Sequence, residues 1–135
     1  MSQENVDLVL RAYEAWNRGD IDAVVQFATP DGEYRPASLA VIPPGMDAAY
    51  FGREGFARFA REFVGLWDQF SIEPEQVIDR GDQVVALLRL RGVGRGGVAV
   101  EAPICHVITL RDGLCVRLDS YPDRQKALEA VGLEA

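Results

Sequence analysis

Residues 98–122 read VAVEAPICHVITLRDGLCVRLDSYP, two β-strands folded back on each other at Asp112-Gly113. Asp-Gly between alternating apolar runs signals a hairpin, because both central residues of a type I′ turn need positive φ. With these two residues as the loop, Arg111 faces Leu114, and an unbroken ladder follows by counting outwards. Ile108 then faces Arg117, His106 faces Asp119 and Ile104 faces Tyr121. Directly opposed residues share a sheet face, with Cβ atoms about 5 Å apart. The only histidine of the chain thereby stands beside a carboxylate, with a phenol one pair further along. The same count sets Cys105 opposite Ser120 and Cys115 opposite Leu110, on opposite faces. Two free thiols in a reducing compartment are expected.

The chain around this hairpin has 135 residues, 48% of them apolar, which fits one globular domain, 1–135, with a core of its own. A net charge of −7 argues against a nucleic-acid partner. The start, MSQENVDLVLRAYE, is polar and helical rather than basic-then-apolar, and no apolar run approaches the ~20 residues of a membrane span. Neither a signal peptide nor a membrane partner is expected, and the cytoplasm is the expected compartment. One histidine without CxxC or HxxxH spacing offers no transition-metal site, and no cofactor is expected.

Upstream, Val6, Val9, Leu10, Tyr13 and Trp16 recur at helical spacing and predict a helix over residues 3–18. Ser2 can cap its start, and Gly19 stops it. Asp20 caps a short second helix over 21–27, which ATPDG breaks. Residues 33–37 read as a short strand with Tyr34 and Pro36 on one side and Glu33 and Arg35 on the other. The stretch 38–52 contains Pro43-Pro44-Gly45 without periodicity and reads as a long connection of the kind that rims pockets. A third helix is predicted over 53–68, with Phe56, Phe59, Ala60, Phe63 and Trp67 on one face. Strands over 70–79 and 83–93 follow, joined by Arg80-Gly81-Asp82. The second places Val85, Leu87, Arg89 and Arg91 on one face and Val84, Ala86, Leu88 and Leu90 on the other. GVGRGG lacks the Lys-Ser/Thr and the helix of a phosphate loop, and reads as a hairpin connection. Asp123 caps a last short helix over 124–131.

This order predicts an α+β fold: a curved, mainly antiparallel sheet packed against about three N-terminal helices into a cone-shaped barrel, with a short C-terminal helix. An open end of the cone would hold a pocket. Both faces of the hairpin are substantially apolar, so either can look inward.

The stretches AYEAWNRGDIDAVVQFATPDGEYRP, FGREGFARFAREF and HVITLRDGLCVRLDSYPDRQKALEAVGL resemble the SnoaL-like branch of the nuclear transport factor 2-like superfamily over nearly the whole chain. The resemblance implies a cone-shaped fold, a pocket between the sheet and the first and third helices, and frequently a homodimer. Function varies widely across the superfamily, from polyketide cyclases, ketosteroid isomerases, limonene-epoxide hydrolases and dehydratases to non-catalytic adaptors. In SnoaL-type cyclases a histidine and an aspartate on adjacent strands handle proton transfer. The matching positions here are His106 and Asp119, with Ser120 the neighbouring candidate. Glu33 is the nearest counterpart of the isomerase base, in surroundings that do not match.

His106 and Asp119 are thus the candidate catalytic pair, weighed against a structural pair within a sheet. Candidate ligand-binding residues are Tyr13, Trp16, Tyr34 and Trp67 for flat apolar surface, Arg89 for an anionic group and Tyr121 as an oxyanion donor. Aromatic residues at helical spacing are more often core, and strand arginines more often pair with carboxylates such as Glu101 or Asp119. The resulting expectation is a protein with a pocket for a small apolar or aromatic molecule. It would catalyse acid–base chemistry of isomerase, cyclase or hydrolase type on a carbonyl-containing ligand. The rival expectation is a non-catalytic ligand-binding or dimerisation module that uses a sheet face as its homodimer interface.

Overall fold

In the computed structural model, which describes residues 2–36 and 49–133, Asp112 and Gly113 both have positive φ, 53° and 78°. The hairpin therefore turns where the Asp-Gly pair demanded. It joins β5 (Ala99–Arg111) to β6 (Leu114–Tyr121). The chain reaches it through α1 (Ser2–Asn17), α2 (Ile21–Gln26), β1 (Ala28–Arg35), β2 (Tyr50–Phe51), α3 (Gly52–Val64), β3 (Trp67–Arg80) and β4 (Gln83–Gly94), and α4 (Arg124–Ala130) follows it. The strands form one curved, open sheet in the order β2-β1-β6-β5-β4-β3. Every neighbouring pair is antiparallel except β1 and β6.

The local signals for helix ends hold. The Asp20 and Asp123 carboxylates accept from the amides of Ala23 and Lys126, at 3.1 and 2.9 Å, as N-caps should. Gly19 closes α1 in the left-handed conformation, φ +77°. The Ser2 side chain expected to cap α1 lies outside what the structure describes. Asn17, at the end of α1, accepts from the Ile72 amide at 2.9 Å and donates to its carbonyl at 2.8 Å. One side-chain amide thus continues the ladder of the edge strand β3 and ties the helix to it.

Three elements differ from expectation. The ATPDG segment does not end the second helix in a loop; it begins β1, with an irregularity between Ala28 and Glu33. The third helix stops at Val64, and Trp67, expected on its stripe, is the first residue of β3. There its ring lies over Gly92, where a Cβ would come within 2.6 Å of the indole. Helix and strand signals overlap here because an aromatic every third or fourth residue continues from Phe63 to Trp67 and on to Phe70. Within the connection read over 38–52, residues 50–52 form β2 and the start of α3; residues 37–48 lie outside those described.

The sheet has two apolar faces. Val84, Ala86, Leu88 and Leu90 of β4 and Ile104 and Ile108 of β5 pack with Val9, Tyr13, Phe59 and Phe63 beneath α1 and α3. On the convex side, Val85, Leu87, Cys105 and Val107 pack against Ala127 and Leu128 of α4. The alternation read from VVALLRLRGV assigned these two sets correctly.

Candidate active site

The ladder between β5 and β6 is not unbroken. Leu110 faces Cys115, as counted, but Thr109 faces Arg117, so Val116 is an extra residue. A bulge of this kind shifts every later pair by one and exchanges the faces. His106 faces Ser120, Val107 faces Asp119, and Cys105 faces Tyr121. The bulge sits where β1 begins: the Cys115 amide donates to the Phe27 carbonyl at 2.8 Å, and Ala28 aligns with Cys115.

The expected geometry is corrected accordingly. Asp119 shares the convex face with Val107 and forms a two-bond ion pair with Arg117, at 2.8 and 3.1 Å. Tyr121 packs against the convex cluster. Arg89, on the Val85–Leu87 face, pairs with Glu75 at 3.4 Å. None of the three reaches the face of His106. Leu118, which the unbroken count sets opposite Val107, turns inward and lines the cavity. The two cysteines remain on opposite faces, both buried and free, with Cys105 now opposite Tyr121 rather than Ser120.

His106 looks inward. It is 5% exposed and lines a cavity between the sheet, α1, α2 and α3 that offers about 80 Å³ to the centres of water-sized molecules. Tyr13, Trp16 and Tyr34 line it as expected, joined by Phe56, Phe59 and Phe63 of α3. Trp67 belongs to the adjoining core rather than to the lining. Glu33, the nearest counterpart of the isomerase base, lines the cavity and pairs with Arg35.

The Tyr13 hydroxyl meets His106 Nδ1 at 2.8 Å, both groups buried. Desolvation, with no compensating charge, pulls the His106 pKa down to about 4, so the ring is neutral at pH 7. Burial drives the Tyr13 phenol well above its ordinary value, with Tyr34 and Cys115 adding to the rise, so it keeps its proton. A neutral imidazole has one donor and one acceptor nitrogen. Donation from the Tyr13 O–H to Nδ1 satisfies both groups and assigns the ring proton to Nε2, which is buried without a protein partner. Around it, Tyr34 meets the ring edge-on at 6.5 Å between centroids, and Ser120 stands directly across the strand pair. Burial raises the Tyr34 phenol, so it too keeps its proton. The Cys115 thiol, also in the lining, is pushed up to about 12 by burial, which leaves it protonated and inert.

The sequence could not show that Tyr13 partners His106 across 93 positions. Ser120 was within reach, since one added residue in the hairpin count delivers it. Among the described residues, no group of three or more His, Cys, Asp or Glu side chains gathers as metal ligands would, and no helix is long and apolar enough to cross a membrane.

These features define a helix-covered, curved-sheet pocket protein of the nuclear transport factor 2-like kind. Residues 9–118 match the family model described as SnoaL-like domain, and the chain belongs to that family. No curated protein matches it. Among solved structures, a nuclear transport factor 2-like protein of unknown function from Burkholderia pseudomallei K96243 superposes with a TM-score of 0.80 at 22% identity, covering 96% of each chain. TerC, co-crystallised with polyporic acid, gives 0.79 at 22% identity over 89% of this chain and 92% of its own. A Jannaschia Sp. CCS1 protein assigned as a SnoaL-like polyketide cyclase gives 0.76 at 25% identity, over 96% and 90%.

Proposed function

We propose that this chain binds a compact, mostly apolar ligand carrying one acceptor oxygen, and polarises that oxygen in cofactor-independent proton-transfer chemistry of isomerase, cyclase or hydrolase type. The observation that carries this is the buried Tyr13–His106 pair at 2.8 Å, with Nε2 unpartnered, in an otherwise apolar aromatic cavity. An unpaired buried donor costs about 1–3 kcal/mol, which a ligand acceptor would recover. A neutral imidazole N–H can stabilise charge that develops on a carbonyl or epoxide oxygen without itself being ionised. The structural neighbours named as a polyketide cyclase, an epoxide hydrolase/cyclase-like enzyme and an epoxide hydrolase support this range of chemistry. Tyr13 positions the ring, Trp16, Tyr34 and Phe59 supply the apolar walls, and water admitted with the ligand takes up or returns the proton that moves. Asp119, Arg89 and Tyr121 have no part in this reading. A homodimer through a sheet face and a cytoplasmic location stand beside it as separate proposals that the ligand argument does not use.

A second reading, binding without turnover, draws on one observation: no described carboxylate contacts His106, so the ring lacks the partner that would make it a stronger base. One experiment separates the two. Small cyclic ketones, lactones and epoxides are screened for thermal stabilisation, and the ketones that bind are incubated with protein in D2O. Stabilisation together with α-deuteration that His106→Leu abolishes supports the enzyme; stabilisation without exchange supports the binder. No stabilisation by any compound, or equal stabilisation of His106→Leu, defeats both.

A further inference from the structure

The chain has 14 lysines and arginines, and every one lies in the described segments. None lines the cavity. The strand arginines are turned away and occupied: Arg89 by Glu75, Arg91 by Glu73 and Glu101, Arg117 by Asp119. Beside Gly52, which with Ala28 contributes to the lining, Arg53 donates to the Ala28 carbonyl at 2.9 Å. The sole histidine lines the cavity but is neutral. The segment 37–48, ASLAVIPPGMDA, contains no lysine, arginine or histidine at all. Among the described lining residues Glu33 is the one acidic side chain, and it pairs with Arg35.

Resting on the reading above, we infer that the cavity selects uncharged ligands and rejects carboxylates of the same shape. An anion entering it would leave water for aromatic and aliphatic walls with no cation to meet it, the costliest kind of burial. The preference follows from where this sequence puts its arginines, outside the cavity lining.

The test compares two probes of one size on the unmodified protein: acetophenone and benzoate. Each is titrated at pH 7 by chemical-shift perturbation, in 0.1 M and again in 0.5 M NaCl. The high-salt arm screens the long-range repulsion due to the net charge of −7. Acetophenone is expected to bind at least tenfold more tightly than benzoate at both salt concentrations. A benzoate affinity within tenfold of the ketone, or discrimination that vanishes at high salt, overturns the inference while leaving the pocket reading intact. Failure of both to bind removes the pocket reading and this inference with it.

Discussion

The two faces of the sheet carry similar apolar alternation but are covered differently. On the convex side a seven-residue helix, α4, presses Ala127 and Leu128 onto Val85, Leu87, Cys105 and Val107, and ion-paired strips such as Arg89–Glu75 and Arg117–Asp119 flank the patch. On the concave side α1 and α3 bridge a wider hollow, and their aromatic side chains line a cavity rather than fill it. One face is finished by packing; the other keeps buried polar atoms, His106 Nε2 and Trp16 Nε1, without protein partners. Apolar pattern alone therefore identifies surfaces that must be covered, and the span of the covering element decides whether a void remains.

The sharpest challenge to this contrast is Leu128→Ala. Truncating the α4 anchor should cost about 2–5 kcal/mol in urea unfolding, yet leave cavity ligands binding as before. A change in ligand affinity would show that the faces are not independent.

Acid should act through the other face. The His106 pKa is lowered in the folded state to about 4 from 6.5. Between those values the unfolded chain holds more protons, so this contribution to stability is full above about pH 6.5 and is lost as pH falls towards 4, about 3 kcal/mol in all. Urea unfolding from pH 4 to 7 should be less steep in pH for His106→Leu than for the unaltered chain. Identical slopes would show that the ring titrates freely in the folded protein.

Next in size is the hydrogen bond itself. Tyr13→Phe and His106→Leu each orphan a buried polar atom and should each cost about 1–3 kcal/mol, whereas the double variant should cost clearly less than their sum. Strict additivity would remove the Tyr13–His106 pairing. The smallest effect is expected from Asp119→Asn. Its partner Arg117 is exposed, so the change in stability should stay within about 0–1 kcal/mol, with ligand binding untouched. A loss of binding would return Asp119 to the site.

The hairpin turn, both aspartate caps, the helix stop at Gly19 and the alternation along β4 were all legible in the sequence. Each depends on neighbours a few positions away. The end of α3 was not, because Phe63, Trp67 and Phe70 continue an aromatic spacing that a helix or a strand can use. The candidate site was half legible: His106, Tyr13, Trp16 and Tyr34 line the cavity, whereas Asp119, Arg89 and Tyr121 face away from it and Trp67 lies in the adjoining core.

Composition and local pattern were enough to determine an α+β sheet with covering helices, the turn at Asp112-Gly113, and a histidine strand rich in apolar partners. Tertiary structure alone decided that His106 meets Tyr13 and Ser120 rather than Asp119. A strand alternates faces with a period of two, so one extra residue at Val116 reverses everything beyond it. That bulge forms where the Phe27 carbonyl docks on the Cys115 amide, a contact between segments 88 positions apart that no local pattern encodes.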